Sequence, residues 1–318
     1  MKAIVLREPG GPSVLKMTDV PTPKVKPGWS LIQVKGFGIN RSEIFTRNGW
    51  SPTVKLPRIL GIEGVGVIAE TTDEARLPIG QKVATIMGEM GRNFDGSYAE
   101  YMLIPNEQIF AVETQLSWAE FAAIPETYWT AYGSLLNLKL ADNDSLLIRG
   151  GTSGVGLAAM KLAKAMRTRI TVIGTTRRPE KKTEMLANGF DDIILEQAGH
   201  VQAGSRQFDK VLELVGSLTL QDSLTLVAKN GILCVTGSLG GVWSSKDFDP
   251  MGFVTAGTYL TSFSSSDVTE QTFNDMLQVI EQHHIDVTPT KTFDLAHTAD
   301  VQAFLDSSDS FGKVVVLP

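Results

Sequence analysis

The stretch RGGTSGVGLAAMKLAKAM, residues 149–166, is the feature that most restricts how this chain can fold. It continues the apolar run SLLIR into an alanine-rich amphipathic segment, so it predicts a strand, a tight turn and a helix. Gly151 and Gly156 match the outer positions of a GxGxxG pattern, and Ser153 stands in the middle position. Backbone amides at such a helix N-terminus bind anions, and the anion expected here is a pyrophosphate. The predicted contacts are Thr152, Ser153, Gly154, Val155 and Gly156.

The sequence changes character twice along its 318 residues, a length that exceeds one ordinary hydrophobic core. Residues 1–124 contain short β-rich runs separated by Gly and Pro, which predicts a mostly antiparallel domain. Residues 125–263 alternate apolar strands with helical stretches, which predicts a parallel sheet covered on both faces. Residues 264–318 return to the mixed pattern of the first segment and end in an apolar strand. We therefore predict an α/β protein with one domain of residues 1–124 and 264–318 and another of residues 125–263.

The composition of the chain limits its partners. Hydrophobic residues make up 42% and charged residues 20%, and the net charge is −6, so no basic excess would attract a nucleic acid. The N-terminal apolar run AIVL is too short for a signal-peptide core or a membrane span, and we expect a soluble cytoplasmic protein. Cys234 is the only cysteine, which excludes an internal disulfide and a multi-cysteine metal site.

The sequence GTTRRPEK follows at the end of the second predicted strand. Enzymes that prefer NAD carry an acidic residue about 20 residues beyond the glycine turn, where it binds the ribose hydroxyl. Here Thr175 and Thr176 end the strand instead, and Arg177, Arg178 and Lys181 follow. Hydroxyl, guanidinium and ammonium groups suit a 2′-phosphate, so we predict NADPH as the cofactor. The alternatives are a solvated basic loop for these residues and a tight connection without a ligand for the glycine turn.

Six further stretches follow a pattern known from one family: GFGINRSEIFTRNG, LGIEGVGVI, GSYAEYMLIP, AIPETYWTAYGSL, ELVGSLTLQDSL and GKVVVLP. With the glycine turn, they make the whole chain resemble the zinc-independent quinone oxidoreductases of the medium-chain dehydrogenase/reductase superfamily. The resemblance implies a GroES-like, mostly-β substrate domain, formed by both chain ends, and a central Rossmann domain with a doubly wound parallel sheet. It also implies a homodimer, in which the β-rich stretch TAGTYLTSF pairs across the interface as an edge strand. A buried internal strand is the alternative for this stretch.

The resemblance separates this chain from the zinc enzymes of the same superfamily. Zinc alcohol dehydrogenases place a Cys where this chain has Asn40 and a His where it has Ile62, and they add a lobe with four closely spaced cysteines. Without thiolate and imidazole ligands we expect no metal site. We expect the histidines to be solvated: His200, His283, His284 and His297.

The chemistry that remains is hydride transfer to a quinone or an α,β-unsaturated carbonyl, which leaves a delocalised oxyanion. By resemblance Asn40 is the active-site Asn, and its amide can donate to a substrate carbonyl or to the nicotinamide ribose. A turn residue bonded to its own backbone is the alternative for Asn40. Phe45 stands where many quinone reductases carry a Tyr. Tyr128 and Tyr132 have hydroxyls, but we expect both to pack within their helix.

Four residues are expected near the nicotinamide. Thr130 is assigned there by resemblance. Val215, Ser238 and Leu239 follow later strands at the carboxyl edge of the sheet, where open α/β sheets bind ligands.

Two functions follow from these residues. The first is an NADPH-dependent reductase of quinones or activated alkenes, whose apolar pocket is expected in the loops that contain Trp50, Met87, Met90 and Phe94. The second is an NADPH-binding protein with little turnover, such as a redox sensor, and Phe45 in place of Tyr motivates it.

Overall fold

The chain forms two compact units in a computed structural model that describes residues 1–307 and 309–318. Each unit combines segments that are distant in the sequence. The first unit consists of Met1–Thr127, Ser265–Leu277 and Asp286–Pro318, and the second of Tyr128–Ser264 and Gln278–Ile285.

The first unit is mainly β-structure, as its runs punctuated by Gly and Pro predicted. Its strands are β1 (Lys2–Leu6), β2 (Lys16–Asp19), β3 (Trp29–Gly38), β4 (Arg58–Ile59), β5 (Glu63–Glu70), β6 (Lys82–Ile86), β7 (Tyr101–Pro105), β8 (Phe110–Ala111), β16 (Lys291–Asp294) and β17 (Val314–Leu317). One sheet has the order β2-β1-β4, and the other has the order β16-β17-β3-β5-β6-β8 with β7 paired to β3. Neighbouring strands are antiparallel apart from the parallel pair β16–β17. Its helices are α1 (Arg41–Arg47), α2 (Trp118–Ala122) and α9 (Thr298–Asp306).

Strand β3 brings the two chain ends together in the first unit. Its last residues pair with β17, so that Gly38 lies opposite Val315 and Phe37 opposite Val316. Phe37 is fully buried and stacks on Tyr98, with 4.9 Å between the ring centroids. Burial of such side chains stabilises the fold by about 1.5–3 kcal/mol each. The C-terminal strand is therefore held beside β3 by the main core of this unit.

The second unit contains the predicted parallel sheet. Its strands are β9 (Ser145–Arg149), β10 (Thr171–Thr176), β11 (Asp192–Gln197), β12 (His200–Val201), β13 (Phe208–Glu213), β14 (Val227–Val235) and β15 (Tyr259–Ser262). Their order is β12-β11-β10-β9-β13-β14-β15, and β12 is antiparallel to its neighbour. Its helices are α4 (Gly154–Met166), α5 (Lys182–Ala187), α6 (Leu220–Thr225) and α7 (Pro250–Phe253), while α3 (Pro125–Leu138) and α8 (Glu270–Gln282) contain residues of both units.

The strand order reverses at β9, because β10 lies on one side of it and β13 on the other. A reversal of this kind opens a crevice at the carboxyl ends of the strands, where such sheets bind ligands. The glycine turn follows β9 directly and therefore lies at this point. Strand β15 ends the sheet order, so the stretch TAGTYLTSF supplies an edge strand of this chain.

Two details of the structure bear on the sequence predictions. In α8 the apolar side chains Phe273, Met276, Leu277 and Ile280 recur at helical spacing along the sequence, and all four are buried. Met90 is fully buried in the core of the first unit, so the expectation that it lines a substrate pocket is wrong: its apolar side chain packs inward. Within the described residues, no helix has the length and apolar composition needed to cross a bilayer.

Candidate active site

The glycine turn between β9 and α4 has the geometry of an anion site. Ser153 is the N-cap residue of α4: its Oγ accepts from the Gly156 amide at 3.0 Å and donates to the Gly150 carbonyl at 2.8 Å. A Cβ on Gly156 would lie 2.6 Å from the Gly150 oxygen, so the close approach requires glycine. The amides of Gly154 and Val155 belong to the first turn, where a helix offers no acceptor, and they can bind a phosphate. Thr152 is half-buried in the same turn.

Basic side chains follow β10, the strand next to the glycine turn. Arg177 and Arg178 are exposed, and Lys181 is half-buried at the end of a short 3-10 turn, Pro179–Lys181. Arg178 also contacts Glu180 at 3.4 Å on the surface. Because β10 and β9 are parallel neighbours, these cations and the glycine turn lie at the same edge of the sheet.

The two threonines that end β10 have partners within the protein. The Thr175 hydroxyl is buried; it accepts from the Gly150 amide at 3.2 Å and donates to Glu196 Oε2 at 3.3 Å. The Thr176 hydroxyl accepts from the Arg178 amide at 3.1 Å. A contact of Thr175 with a 2′-phosphate would require its hydroxyl to leave Glu196. The cations, rather than these hydroxyls, could therefore hold a phosphate.

The residues predicted near the nicotinamide lie at the carboxyl edge of the same sheet. A Cβ built on Gly150 would meet Leu239 Cδ1 at 3.2 Å and Val215 Cγ2 at 3.9 Å, so both side chains flank the glycine turn. Ser238 precedes Leu239 in the half-buried loop after β14.

Thr130 lies on α3, and a hydrogen-bond chain links its backbone to the end of β14. Its carbonyl accepts from Ser134 Oγ at 2.6 Å, and this oxygen contacts Thr236 Oγ1 at 2.8 Å.

Asn40 belongs to a buried polar cluster in the first unit, where it is the N-cap residue of α1. Its Nδ2 donates to Glu63 Oε1 at 2.8 Å, and its Oδ1 accepts from Lys313 Nζ at 2.7 Å. Lys313 Nζ also donates to Glu63 Oε1 at 2.6 Å. Glu63 is fully buried and Lys313 is 9% exposed, whereas Asn40 is partly exposed. We name Asn40, Glu63 and Lys313 the amide cluster.

Glu43 is a second buried carboxyl beside the amide cluster. Its oxygens accept from the amides of Asn40 at 3.1 Å and Ile62 at 3.3 Å. Burial and the negative charge of Glu63 raise its pKa to about 7, and the positive charge of Lys313 opposes this increase. Glu43 therefore changes charge near neutral pH within contact of the Asn40 backbone.

The aromatic residues that the sequence singles out are buried in part or in full, or make ring contacts. Phe45 is buried and stacks on Trp50 with 5.6 Å between centroids. Tyr128 is buried and Tyr132 half-buried on α3. Phe94 packs edge-on against Trp29 at 5.1 Å.

Comparisons with known proteins identify the family. Residues 26–114 match the family model of the alcohol dehydrogenase GroES-like domain, and residues 188–316 match that of a zinc-binding dehydrogenase. A human quinone oxidoreductase is 30% identical over 288 residues, which cover 87% of this chain and 85% of the relative. The chain belongs to the medium-chain dehydrogenase/reductase superfamily.

Two solved structures are similar to this medium-chain dehydrogenase/reductase over its whole length. The quinone oxidoreductase from Coxiella burnetii is 26% identical with a TM-score of 0.85, and the match covers 100% of this chain and 99% of that one. A mycobacterial protein complexed with NADPH is 25% identical with a TM-score of 0.86, and the match covers 100% of both chains. The chain thus has the fold of an oxidoreductase, with a GroES-like domain and a Rossmann sheet. Its family binds a nicotinamide cofactor.

The donor set of this medium-chain dehydrogenase/reductase does not fit zinc, although one matching family is described as zinc-binding. Ile62 has no metal-binding atom in its side chain, and both Asn40 Oδ1 and Glu63 Oε1 already accept from the Lys313 ammonium. Among the residues that the structure describes, no group of three or more His, Cys, Asp or Glu side chains could hold a metal ion.

Sequence reasoning missed two features of this superfamily member. Lys313 and Glu63 had no assigned role, although the lysine in GKVVVLP is a charged residue at the start of an apolar run. Arg149, the charged residue that ends the strand SLLIR, had no assigned role either. Both signals are charges in otherwise apolar segments, and such charges are normally paired.

Proposed function

We propose that this chain is an NADPH-dependent reductase that transfers hydride, without zinc, to a quinone or an α,β-unsaturated carbonyl. The observation that carries the proposal is the amide cluster. It holds a neutral amide donor, Asn40, beside a buried ammonium at the position where zinc relatives have a metal ligand. A donor of this kind suits a reduction that leaves a delocalised oxyanion, which needs hydrogen bonding more than a Lewis acid.

The residues of the second unit fit a dinucleotide. The amides of Gly154 and Val155 would hold the pyrophosphate at the N-terminus of α4, with Ser153 and Gly156 shaping the turn. The nicotinamide end would contact Thr130 and the loops after β13 and β14, which contain Val215, Ser238 and Leu239. When bound, the cofactor supplies the hydride. The mycobacterial relative complexed with NADPH supports a nicotinamide cofactor of this type.

The preference for NADPH over NADH rests on charge. Arg177 and Arg178 are exposed at the end of β10, and Lys181 lies within the next few residues. A guanidinium binds a phosphate through two parallel hydrogen bonds, and each charge-assisted bond contributes about 1.5–3 kcal/mol. The 2′-phosphate of NADPH would receive these bonds, and the hydroxyl of NADH would not.

The test is the initial rate of NADPH and NADH oxidation with 1,4-benzoquinone, 9,10-phenanthrenequinone and a short 2-alkenal. We expect faster turnover with NADPH. In Arg177→Glu the ratio of kcat/KM for NADPH to that for NADH should fall by about 10–100-fold, because one charge-assisted contact becomes a repulsion.

The matched control is Arg169→Glu, which makes the same charge change at an exposed arginine before the amino end of β10. It should leave the cofactor ratio unchanged. Equal cofactor ratios in wild type and Arg177→Glu would contradict the proposed phosphate site.

A second function is favoured by one observation. Phe45 is a buried ring without a hydroxyl at the position where many quinone reductases have Tyr. If the purified protein binds NADPH at micromolar concentration but reduces none of the acceptors, the function is NADPH binding with little turnover, as in a redox sensor.

We also propose that the protein is a homodimer. Strand β15 ends the sheet order, and Tyr259 on this strand is 60% exposed. The segment that leads into β15 exposes Trp243 and Met251 as well. Pairing of two β15 strands would cover an edge that otherwise attracts other chains.

A further inference from the structure

We propose that Lys313 and Glu63 are positioning residues that hold the Asn40 side-chain amide in one orientation, so that its nitrogen donates a hydrogen bond to the substrate oxygen. The role in catalysis rests on the proposed function. The orientation itself follows from the charges and contacts of the amide cluster alone.

The two partners of the amide accept only one orientation. An ammonium is a donor without an acceptor, and an ionised carboxylate is an acceptor without a donor. Lys313 faces Oδ1 at 2.7 Å and Glu63 faces Nδ2 at 2.8 Å. Rotation of the amide by 180° would place the Asn40 N–H groups against the ammonium and the oxygen against the carboxylate. Both contacts would then be repulsive, at a site where little water can screen them.

The orientation leaves one hydrogen of Nδ2 for the substrate. The nitrogen has two hydrogens, and one of them donates to Glu63. Within residues 1–307 and 309–318, Nδ2 makes no second hydrogen bond, and Asn40 is partly exposed. A carbonyl oxygen that reaches Asn40 would therefore meet a donor and not an acceptor.

The charges of the cluster also strengthen this donor. The ammonium draws electron density from Oδ1 and polarises the amide, which makes its N–H groups better donors to a developing oxyanion. Lys313 and Glu63 together are neutral, so the cluster does not attract a permanently charged molecule. This combination favours a neutral carbonyl substrate that becomes anionic during the reaction.

The surrounding backbone is shaped to hold the Lys313–Glu63 pair. A Cβ on Gly38 would collide with Glu63 Oε1 and with the Cε and Nζ atoms of Lys313. Gly38 is paired with Val315 on β17, two residues beyond Lys313. The second oxygen of Glu63 accepts from the Glu126 amide at 2.7 Å, in the first turn of α3. The carboxylate is thus fixed at both oxygens.

The first experiment detects the orientation of the Asn40 amide by NMR and does not require enzymatic turnover. The ¹⁵N–¹H resonances of the Asn40 side chain are assigned by their loss in Asn40→Ala and followed in Lys313→Met and Lys313→Arg. We expect Lys313→Met to shift or broaden both resonances and Lys313→Arg to preserve them. Lys2→Met, which removes an exposed lysine of the same unit, should change neither.

The second experiment measures whether Lys313 acts through Asn40. Lys313→Met should lower kcat for the quinone by about 10–100-fold, which is less than the roughly 100–1000-fold found when an oxyanion donor itself is removed, because Lys313 acts through Asn40. Lys313→Arg should restore most of the loss. In an Asn40→Ala background the same Lys313→Met change should lower kcat by less than about threefold, because its target is already absent. Gly38→Ala should resemble Lys313→Met without removing a charge.

Three results would overturn the inference. Asn40 resonances that stay at their wild-type positions in Lys313→Met would show that the lysine does not orient the amide. Full additivity of the two substitutions, or a weaker Kd for NADPH in Lys313→Met, would mean that Lys313 acts elsewhere, for example on a cofactor phosphate. Absence of turnover in wild type would contradict the proposed function, and the resonances would still decide the orientation.

Discussion

Glu43 is a carboxyl group whose burial changes how the protein responds to pH. Its side chain is 1% exposed, and its pKa is raised to about 7 by burial and by Glu63. Between the ordinary carboxyl pKa and this value, the folded chain binds a proton that the unfolded chain has lost. Stability from this group is therefore present at acidic pH and is lost as the pH rises through about 7.

We predict that Glu43→Gln removes this loss. The wild type should lose about 2.5 kcal/mol relative to Glu43→Gln between pH 5 and pH 8.5, since the variant stays neutral throughout. Urea unfolding at pH 5, 7 and 8.5 measures the difference. Glu107→Gln, at an exposed glutamate of the same unit, is the control and should follow wild type. If the free energies of unfolding of wild type and Glu43→Gln differ by the same amount at all three pH values, the predicted ionisation of buried Glu43 is wrong.

Strand β9 ends on an arginine that joins several elements of the second unit. Arg149 is fully buried and donates to Glu196 on β11 at 2.9 Å and to Asp222 on α6 at 2.8 Å. Its Nε lies 3.9 Å from Glu213, a buried carboxyl on β13 whose pKa is raised by burial. Since Arg149 directly precedes the glycine turn, the same contacts hold the turn in place.

We predict that Arg149→Met destabilises the protein by about 3–5 kcal/mol, because it leaves buried carboxylates without their cation. The thermal midpoint, measured with and without NADPH, should fall strongly in this variant. Arg169→Met removes an exposed arginine of the same unit and should have little effect. Equal thermal midpoints for the two variants would contradict a structural role of Arg149 and its carboxylate partners.

The homodimer that we propose depends on the exposed edge of strand β15. Tyr259 lies on the edge strand β15, which pairs with β14 on one side. Introduction of a charge at a strand edge opposes edge-to-edge pairing.

We predict that wild type has twice the 34.5 kDa mass of the chain in solution and that Tyr259→Lys shifts it towards one chain. Light scattering after size-exclusion chromatography gives the masses. Leu186→Lys, on an exposed leucine of α5, is the matched control and should stay dimeric. A monomeric wild type would contradict the proposed dimer.

Much of the fold follows from local sequence. The turn between β9 and α4 could be predicted because its glycines, its N-cap Ser153 and the apolar periods on either side act over a few residues. The helix α8 could be predicted for the same reason. The buried position of Met90 could not, because whether a loop methionine packs inward depends on the strands around it.

The candidate site was predictable only in part. Asn40 could be identified by resemblance, but its partner Lys313 is 273 positions away in the sequence, and Glu63 is 23 positions away. Thr175 illustrates the converse: its place at the end of β10 was clear, yet its hydroxyl is bound to Glu196. A contact between residues on different strands depends on strand order and register, which the hydrophobic pattern does not specify.

The sequence by itself determined the two styles of structure, the glycine turn, the cations after β10 and the amide at position 40, because each depends on neighbouring residues. Only the tertiary structure decided which charges meet. The pairing of β17 with β3 places Lys313 over Gly38 and against Glu63, and the parallel order of β9, β11 and β13 surrounds Arg149 with carboxylates. The physical reason is that a buried charge requires a partner, and only the folded backbone brings that partner within bonding distance.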